Sequence, residues 1–347
     1  MRILVTGADG YIGTRLVPVL VERGHDVSPI DTGFYAERWL AVDGVAPCAI
    51  VNADTRDLRD ADLRGLDAVV HLGELSNDPL GQLDPVVTHE INYRASLALA
   101  EASRGAGVPR FVYSSSCSVY GAADGVEAVT EGSPTRPQTA YAECKLRVEA
   151  ALRELADERF CPVILRNATA FGPSPRMRFD LVLNNLAGLA WSTGEIRMVS
   201  DGTPWRPLVH VLDICHAIAC AVEAPSEAVH AETFNVGDDE HNYRVRDLAE
   251  IVGATLPGCR VTIGSNGGDR RSYAVSFRKV AERLPDFKAS RDAAWGAWEL
   301  HRWFRTVGMT HEMFAFRCYT RIRQIEHLLA SGELDPSLRW RRVRAAA

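Results

Sequence analysis

Residues 1–13 read Met1-Arg2-Ile3-Leu4-Val5-Thr6-Gly7-Ala8-Asp9-Gly10-Tyr11-Ile12-Gly13. Five residues from Arg2 form a short, largely apolar strand. Three glycines follow, and then an amphipathic pattern that runs to about Arg23. A turn at Gly24-His25-Asp26 leads into a second strand, Val27 to Ile30, which ends at Asp31. The unit is strand, glycine turn, helix, strand, with an acid at the end. Each glycine has its own task. Gly7 permits the tight turn, Gly10 lets backbone approach a pyrophosphate, and Gly13 lets the helix pack close on the strand. The helix N-terminus, with the amides of Tyr11 and Ile12, then faces the phosphates. Asp31 is placed to bond the adenosine ribose hydroxyls and to repel a 2′-phosphate, so the pattern predicts NAD rather than NADP.

The same alternation continues. Strands are expected at Cys48–Asn52, Asp67–Leu72, Pro109–Tyr113 and Val163–Leu165, with helices over 85–106 and 138–158. The fold class is therefore α/β, a doubly wound parallel Rossmann sheet. After Arg166 the pattern loosens, and helices dominate from about 277, including one expected over 311–329. This predicts an NAD-binding domain over 1–170, to which 207–237 returns. The smaller, mostly helical substrate lobe and C-terminal extension then span 171–347.

Composition narrows the function. The chain has 347 residues, a net charge of -6 and 46% hydrophobic content, an ordinary globular balance that argues against nucleic-acid or membrane partners. Eight cysteines include no C-x-x-C pair, which gives a zinc site no support. No apolar run approaches the roughly 20 residues of a membrane span. The expectation is a reduced, cytoplasmic protein without a metal. The basic run Arg339-Trp340-Arg341-Arg342-Val343-Arg344 reads as a solvated tail.

The chemistry is expected at Ser114-Ser115-Ser116-Cys117-Ser118-Val119-Tyr120-Gly121 and at Tyr141-Ala142-Glu143-Cys144-Lys145. Tyr141 and Lys145 are four apart and share a helix face. An ammonium beside a phenol favours phenolate and lowers the tyrosine pKa, which makes a base. A serine hydroxyl, from Ser116 or alternatively Ser115 or Ser118, can hold a substrate hydroxyl against it. Cys117 and Cys144 read as small filler, His210 as a structural partner of Asp213, and Arg206 as a phosphate ligand.

With Tyr141-x-x-x-Lys145 following the glycine turn, the sequence resembles the extended short-chain dehydrogenase/reductase family, most nearly its NAD-dependent nucleotide-sugar epimerases of the UDP-galactose 4-epimerase type. The resemblance covers roughly residues 1 to 240. It implies that Asp54 and Thr55 contact adenine, that Leu72 and Gly73 run under the cofactor, and that Asn92 and Ser114 lie beside it. It implies that Ser116, which precedes Tyr141 by 25 residues, acts with Tyr141 and Lys145 in catalysis. Asn185, Arg206 and Arg271 would bind the substrate diphosphate. The implied activity is epimerisation of a nucleotide sugar at C4 through a transient keto-sugar, with a net dehydrogenase or ketoreductase as the alternative. A homodimer is implied as well. Dehydratases of the family carry an Asp-Glu pair where this chain has Cys117 and Ser118, so elimination of water is not expected. Residues 290–347 extend past the usual family end.

Overall fold

The computed structural model describes residues 1–41, 49–121, 128–265 and 272–341. Among the described residues there are twelve strands. In chain order they are β1 (Arg2–Thr6), β2 (Asp26–Asp31), β3 (Val51–Asn52), β4 (Ala68–His71), β5 (Arg110–Ser116), β6 (Cys161–Asn167), β7 (Thr169–Phe171), β8 (Glu195–Arg197), β9 (Trp205–His210), β10 (Thr233–Val236), β11 (Asn242–Arg244) and β12 (Arg260–Thr262). Seven of them form one parallel sheet in the order β10-β6-β5-β4-β1-β2-β3. Helices cover both faces, so β4 and β6 are buried along their whole length and read as continuous apolar runs rather than alternating ones. Strand order reverses beside β1, and the ligand crevice of such a sheet opens there, at the carboxyl ends of the strands.

The expected third strand shortens to Val51–Asn52, and Cys48 lies outside the described residues. Within the 207–237 stretch, β10 adds the far edge of the large sheet. By contrast, β9 belongs to a three-stranded sheet with β7 and β11. That small sheet, the β8–β12 pair and the helices Val182–Thr193, Val245–Thr255 and Ala293–Thr306 surround a second core. Phe171, Leu183, Leu248, Leu300 and Phe304 are fully buried in it. Each such side chain contributes roughly 1.5–3 kcal/mol, so this region is a core in its own right.

Two helices differ from expectation. The run over 85–106 is not continuous. It comprises Pro85–Thr88, a π-helical turn at His89–Arg94 and the helix Ala95–Gly105. Asn92 in the wide turn is fully buried, and its amide bonds both backbone groups of Leu75, at 2.8 and 2.9 Å. The turn widens where a side chain ties the helix to the next loop.

The helix expected over 311–329 breaks into His311–Ala315, a 3₁₀ turn at Arg317–Tyr319 and Arg321–Ala330. Phe316 and Thr320 take extended dihedrals at the joints. The chain there wraps Phe179, whose ring meets those of Phe304, Phe314 and Tyr319, and whose amide donates to the Tyr319 carbonyl. The basic run is not a solvated tail where it is described. Arg339 pairs with Asp57 at 2.6 Å, and the Trp340 indole donates to the Thr32 carbonyl at 2.6 Å.

Candidate active site

A cleft of about 740 Å³ lies along the carboxyl ends of the parallel strands. Gly7, Gly10 and Asp31 line it after β1 and β2, Ser116 at the end of β5 together with Tyr141 and Lys145, and Asn185 and Arg206 from elements around the second core. Tyr11, Ile12, Gly13, Asp54, Thr55, Leu72, Gly73 and Ser114 line it as well. Arg271 lies outside the described residues. Asn92 is not among the lining residues; it braces the loop through its two bonds to the Leu75 backbone.

The glycine turn is shaped by close approach. Gly7 has φ +70°, and a Cβ on it would meet the Leu72 carbonyl carbon at 2.7 Å. A Cβ on Gly13 would sit 2.4 Å from the Gly7 oxygen. Only glycine fits at either position. Asp31 accepts the amides of Gly33 at 2.7 Å and Asp9 at 3.1 Å. Burial, together with the neighbouring Asp9 carboxylate, raises the Asp31 pKa to about 6. It still carries most of its charge at neutral pH.

A loop from the second core closes over this turn. Tyr11 donates to the Gly172 carbonyl at 2.6 Å, and the Ser174 hydroxyl to the Tyr11 carbonyl at 2.8 Å. Arg176 forks onto Asp9 at 2.8 and 2.7 Å.

The serine strand uses its period of two. Ser115 turns its hydroxyl to the buried Glu149, to which it donates at 2.6 Å. Ser116 lines the cleft and lies near enough to Tyr141 to lower the pKa of its phenol, while its own hydroxyl donates to Ser118. Ser118 sits behind Ser116, with hydroxyls 3.1 Å apart. Of the three serines, only Ser116 is among the leading influences on the Tyr141 phenol. Thr139 caps the helix Ala140–Leu155, its hydroxyl accepting the Ala142 amide at 3.2 Å. This fixes where the first turn presents Tyr141. Gly81 lets the tyrosine approach the opposite wall, for a Cβ there would lie 2.9 Å from that of Tyr141.

Lys145 is 5% exposed, and its ammonium lies 5.5 Å from the Tyr141 ring centre. It donates to the Ser114 carbonyl and pairs with Glu74 at 2.8 Å. Burial pushes the Tyr141 pKa up, and this outweighs the lowering by Lys145 and Ser116. The expected net lowering therefore does not hold for the protein alone. The Lys145 pKa is also raised: burial, the largest single influence, lowers it, but Glu74, Tyr141 and Glu149 together outweigh that cost.

Several cleft residues carried no signal in the sequence reading. Glu74 accepts hydrogen bonds from Tyr113 at 2.9 Å and Ser96 at 3.1 Å besides pairing with Lys145. Asn167 donates to the Ser114 hydroxyl at 2.9 Å. Its carbonyl oxygen is buried without a hydrogen-bond partner among the described residues. Arg178, Asp180 and Arg321 line the cleft as well. Asp180 meets Asn77 and Arg321 meets Arg176 from distant parts of the chain, and no spacing rule reports such contacts.

His210 bonds Glu299 at 2.7 Å rather than Asp213, and Asp213 pairs with Arg291. Cys117 is buried with its thiol pKa raised by burial, which suits filler and not a nucleophile. Among the described residues no His, Cys, Asp or Glu cluster could hold a metal, and no helix is long and apolar enough to cross a membrane.

These features fit a dinucleotide. The turn admits backbone where a Cβ would collide, a carboxylate ends the second strand, and the orphaned Asn167 oxygen awaits a donor. Comparisons with known proteins agree. The UDP-glucose 4-epimerase of Corynebacterium glutamicum is 30% identical over 320 residues, covering 86% of this chain and 95% of that enzyme. A UDP-glucose-4-epimerase structure from Stenotrophomonas maltophila, with bound NAD and formylated UDP-arabinopyranose, aligns with a TM-score of 0.72 and 26% identity. That match covers 89% of this chain and 99% of the other. A dTDP-glucose 4,6-dehydratase from Streptomyces venezuelae with NAD bound gives 0.73 and 26%, over 88% and 97% of the two chains. The model of the NAD dependent epimerase/dehydratase family matches residues 3–237. With the glycine turn, the acid that ends β2 and the Tyr141–Lys145 pair all inside that span, the chain belongs to this family and is an NAD-dependent enzyme.

Proposed function

We propose that the protein epimerises a nucleotide-linked sugar at C4, and that Ser116, Tyr141 and Lys145 carry the reaction. The observation behind this reading is the alternation along β5, in which Ser116 lies near the Tyr141 phenol while Lys145 holds the Ser114 carbonyl two residues earlier. Tyr141 takes the proton from a sugar hydroxyl as general base. Ser116 bonds the same oxygen and aligns it. Lys145 keeps a positive charge beside the phenolate. NAD, when bound, supplies a hydride acceptor that can return the hydride, and a further positive charge beside the phenol. Gly10, Tyr11, Ile12 and Asp31 would hold it.

The substrate diphosphate would lie at Asn185 and Arg206, which line the same cleft. Asn185 is held by the Phe179 carbonyl at 2.9 Å. Cys117 and Ser118 offer no carboxylic acid beside Ser116, which favours epimerisation over loss of water. Relatives named UDP-glucose 4-epimerase support the same reading.

The test is a panel of nucleotide sugars incubated with the protein as purified, without added NAD, and followed by NMR. Interconversion of C4 epimers with no change in NADH absorbance is the expected result. Stoichiometric NADH production or consumption would replace the proposal with a net dehydrogenase or ketoreductase.

A further inference from the structure

The chain from His311 to Arg341 packs back onto the cofactor end of the cleft. Ile325, Leu328, Leu334 and Leu338 share a buried cluster with Phe34 and Leu80. Gln324 donates to the Phe34 carbonyl at 3.2 Å. Arg56 donates to the carbonyls of Ser337 and Leu338 at 2.6 and 3.1 Å. With the Arg339–Asp57 and Trp340–Thr32 contacts, the segment is fastened at both ends to the loops that follow β2 and β3.

Arg321 opens the last helix of this segment and lines the cleft. It is 2% exposed. Its guanidinium lies 4.0 Å over the Tyr35 ring and donates only to carbonyls, those of Cys318 at 2.9 Å and Arg176 at 3.2 Å. Among the described residues no carboxylate lies within ion-pair distance of it. Asp180 is bound to Arg178 at 2.9 Å and to the Asn77 amide at 2.7 Å, and it meets Arg321 only at the backbone nitrogen, 3.4 Å away. Asp9 is matched by Arg176.

The wall formed by Arg178, Asp180 and Arg321 therefore holds two cations and one anion. A buried guanidinium lacking its counter-charge is costly, and bidentate binding of a phosphate oxygen pair is what it is shaped for. Tyr35, on which it stacks, stands four residues beyond Asp31 and lines the cleft with it.

We propose that Arg321, assisted by Arg178, binds the diphosphate of the dinucleotide from the side opposite the glycine turn, and that the segment 311–341 is thereby a cap that retains the cofactor through turnover. The diphosphate would lie between two unlike walls. Backbone amides and a helix N-terminus stand on one side, and guanidinium groups on the other. This rests on NAD binding and not on which sugar is turned over, so it stands or falls apart from the epimerase reading.

The test measures binding without any sugar. Arg321→Gln, stripped of cofactor, is titrated calorimetrically with ADP-ribose, adenosine and UDP beside the unaltered protein. The expected result is ADP-ribose weakened by at least about tenfold, as loss of one charge-assisted contact implies, with adenosine and UDP nearly unchanged. Equal weakening of adenosine and ADP-ribose would make Arg321 merely structural and overturn the proposal. Weakening of UDP instead would assign the residue to the substrate diphosphate and overturn it as well. Arg339→Ala covers the case in which Arg321→Gln does not fold, since it releases the fastening and leaves the guanidinium in place. NAD that remains bound per chain after prolonged dialysis should fall in this variant. Retention equal to the unaltered protein would remove the cap.

Discussion

Lys145 and Glu149 stand one helical turn apart on the same face of Ala140–Leu155, and each is half of a buried ion pair. Glu149 is fully buried and meets Arg166, with bonds of 2.6 and 2.9 Å. It also accepts the Ser115 hydroxyl at 2.6 Å. Arg166 is further held by the Tyr120 hydroxyl at 2.9 Å. This pair is sealed, and every polar atom of the carboxylate has a partner. Lys145 meets Glu74 through one oxygen, and both line the cleft. The side chains are of the same kind and equally dry, but one pair locks β5 to β6 and the other keeps a movable charge next to a phenol. What separates them is the two-pronged hold of Arg166 against the single contact of Lys145, and the access to the cleft.

Removing the phenol tests the open side most directly. Tyr141→Phe should lower kcat by roughly 10²–10⁴-fold, as loss of a general base does, while bound NAD per chain stays the same. Undiminished turnover on the true substrate would take Tyr141 out of the mechanism. The sealed side should instead fail in stability. Glu149→Gln leaves Arg166 without its counter-charge and should cost roughly 3–5 kcal/mol in denaturant unfolding. A loss well below that, with intact folding, would mean that the pair is replaceable and the contrast between the two pairs is weaker than drawn. Glu74→Gln should have the smallest effect, and one of opposite character. The Glu74 charge raises the pKa of both Tyr141 and Lys145. Without it both fall, the phenolate forms more readily, and the acid limb of the pH–rate profile moves to lower pH. An unmoved limb would show that Glu74 only fills space.

The cofactor half of the site was legible because its logic is local. Gly7, Gly10, Gly13 and Asp31 fall within one strand-turn-helix-strand unit, and Tyr141 and Lys145 within one turn of helix. One wall was not. Arg178 and Arg321 are 143 positions apart, and nothing near either marks it as lining a cleft. Glu74 lies three residues beyond β4 and carries no local mark, because its partners Lys145, Tyr113 and Ser96 arrive from three other elements. The π turn at Asn92 and the break at Phe316 were missed for a related reason. Neither stretch holds a glycine or proline, and both deviations follow from contacts made elsewhere, with Leu75 in one case and Phe179 in the other. The sign of the Tyr141 shift was missed because burial is a property of the folded whole.

The fastening of Trp340 to Thr32 joins positions 308 residues apart. A ribosome makes the chain from its amino end, so the glycine turn, β2 and Asp31 emerge early, while Arg321 and Trp340 emerge after nearly all the rest. Even the edge strand β10 is made well after its neighbour β6. The nascent first half thus lacks an edge of its sheet and one wall of its nucleotide cleft. On the proposed role of Arg321, a translation product that stops before it would lack that wall of the cleft.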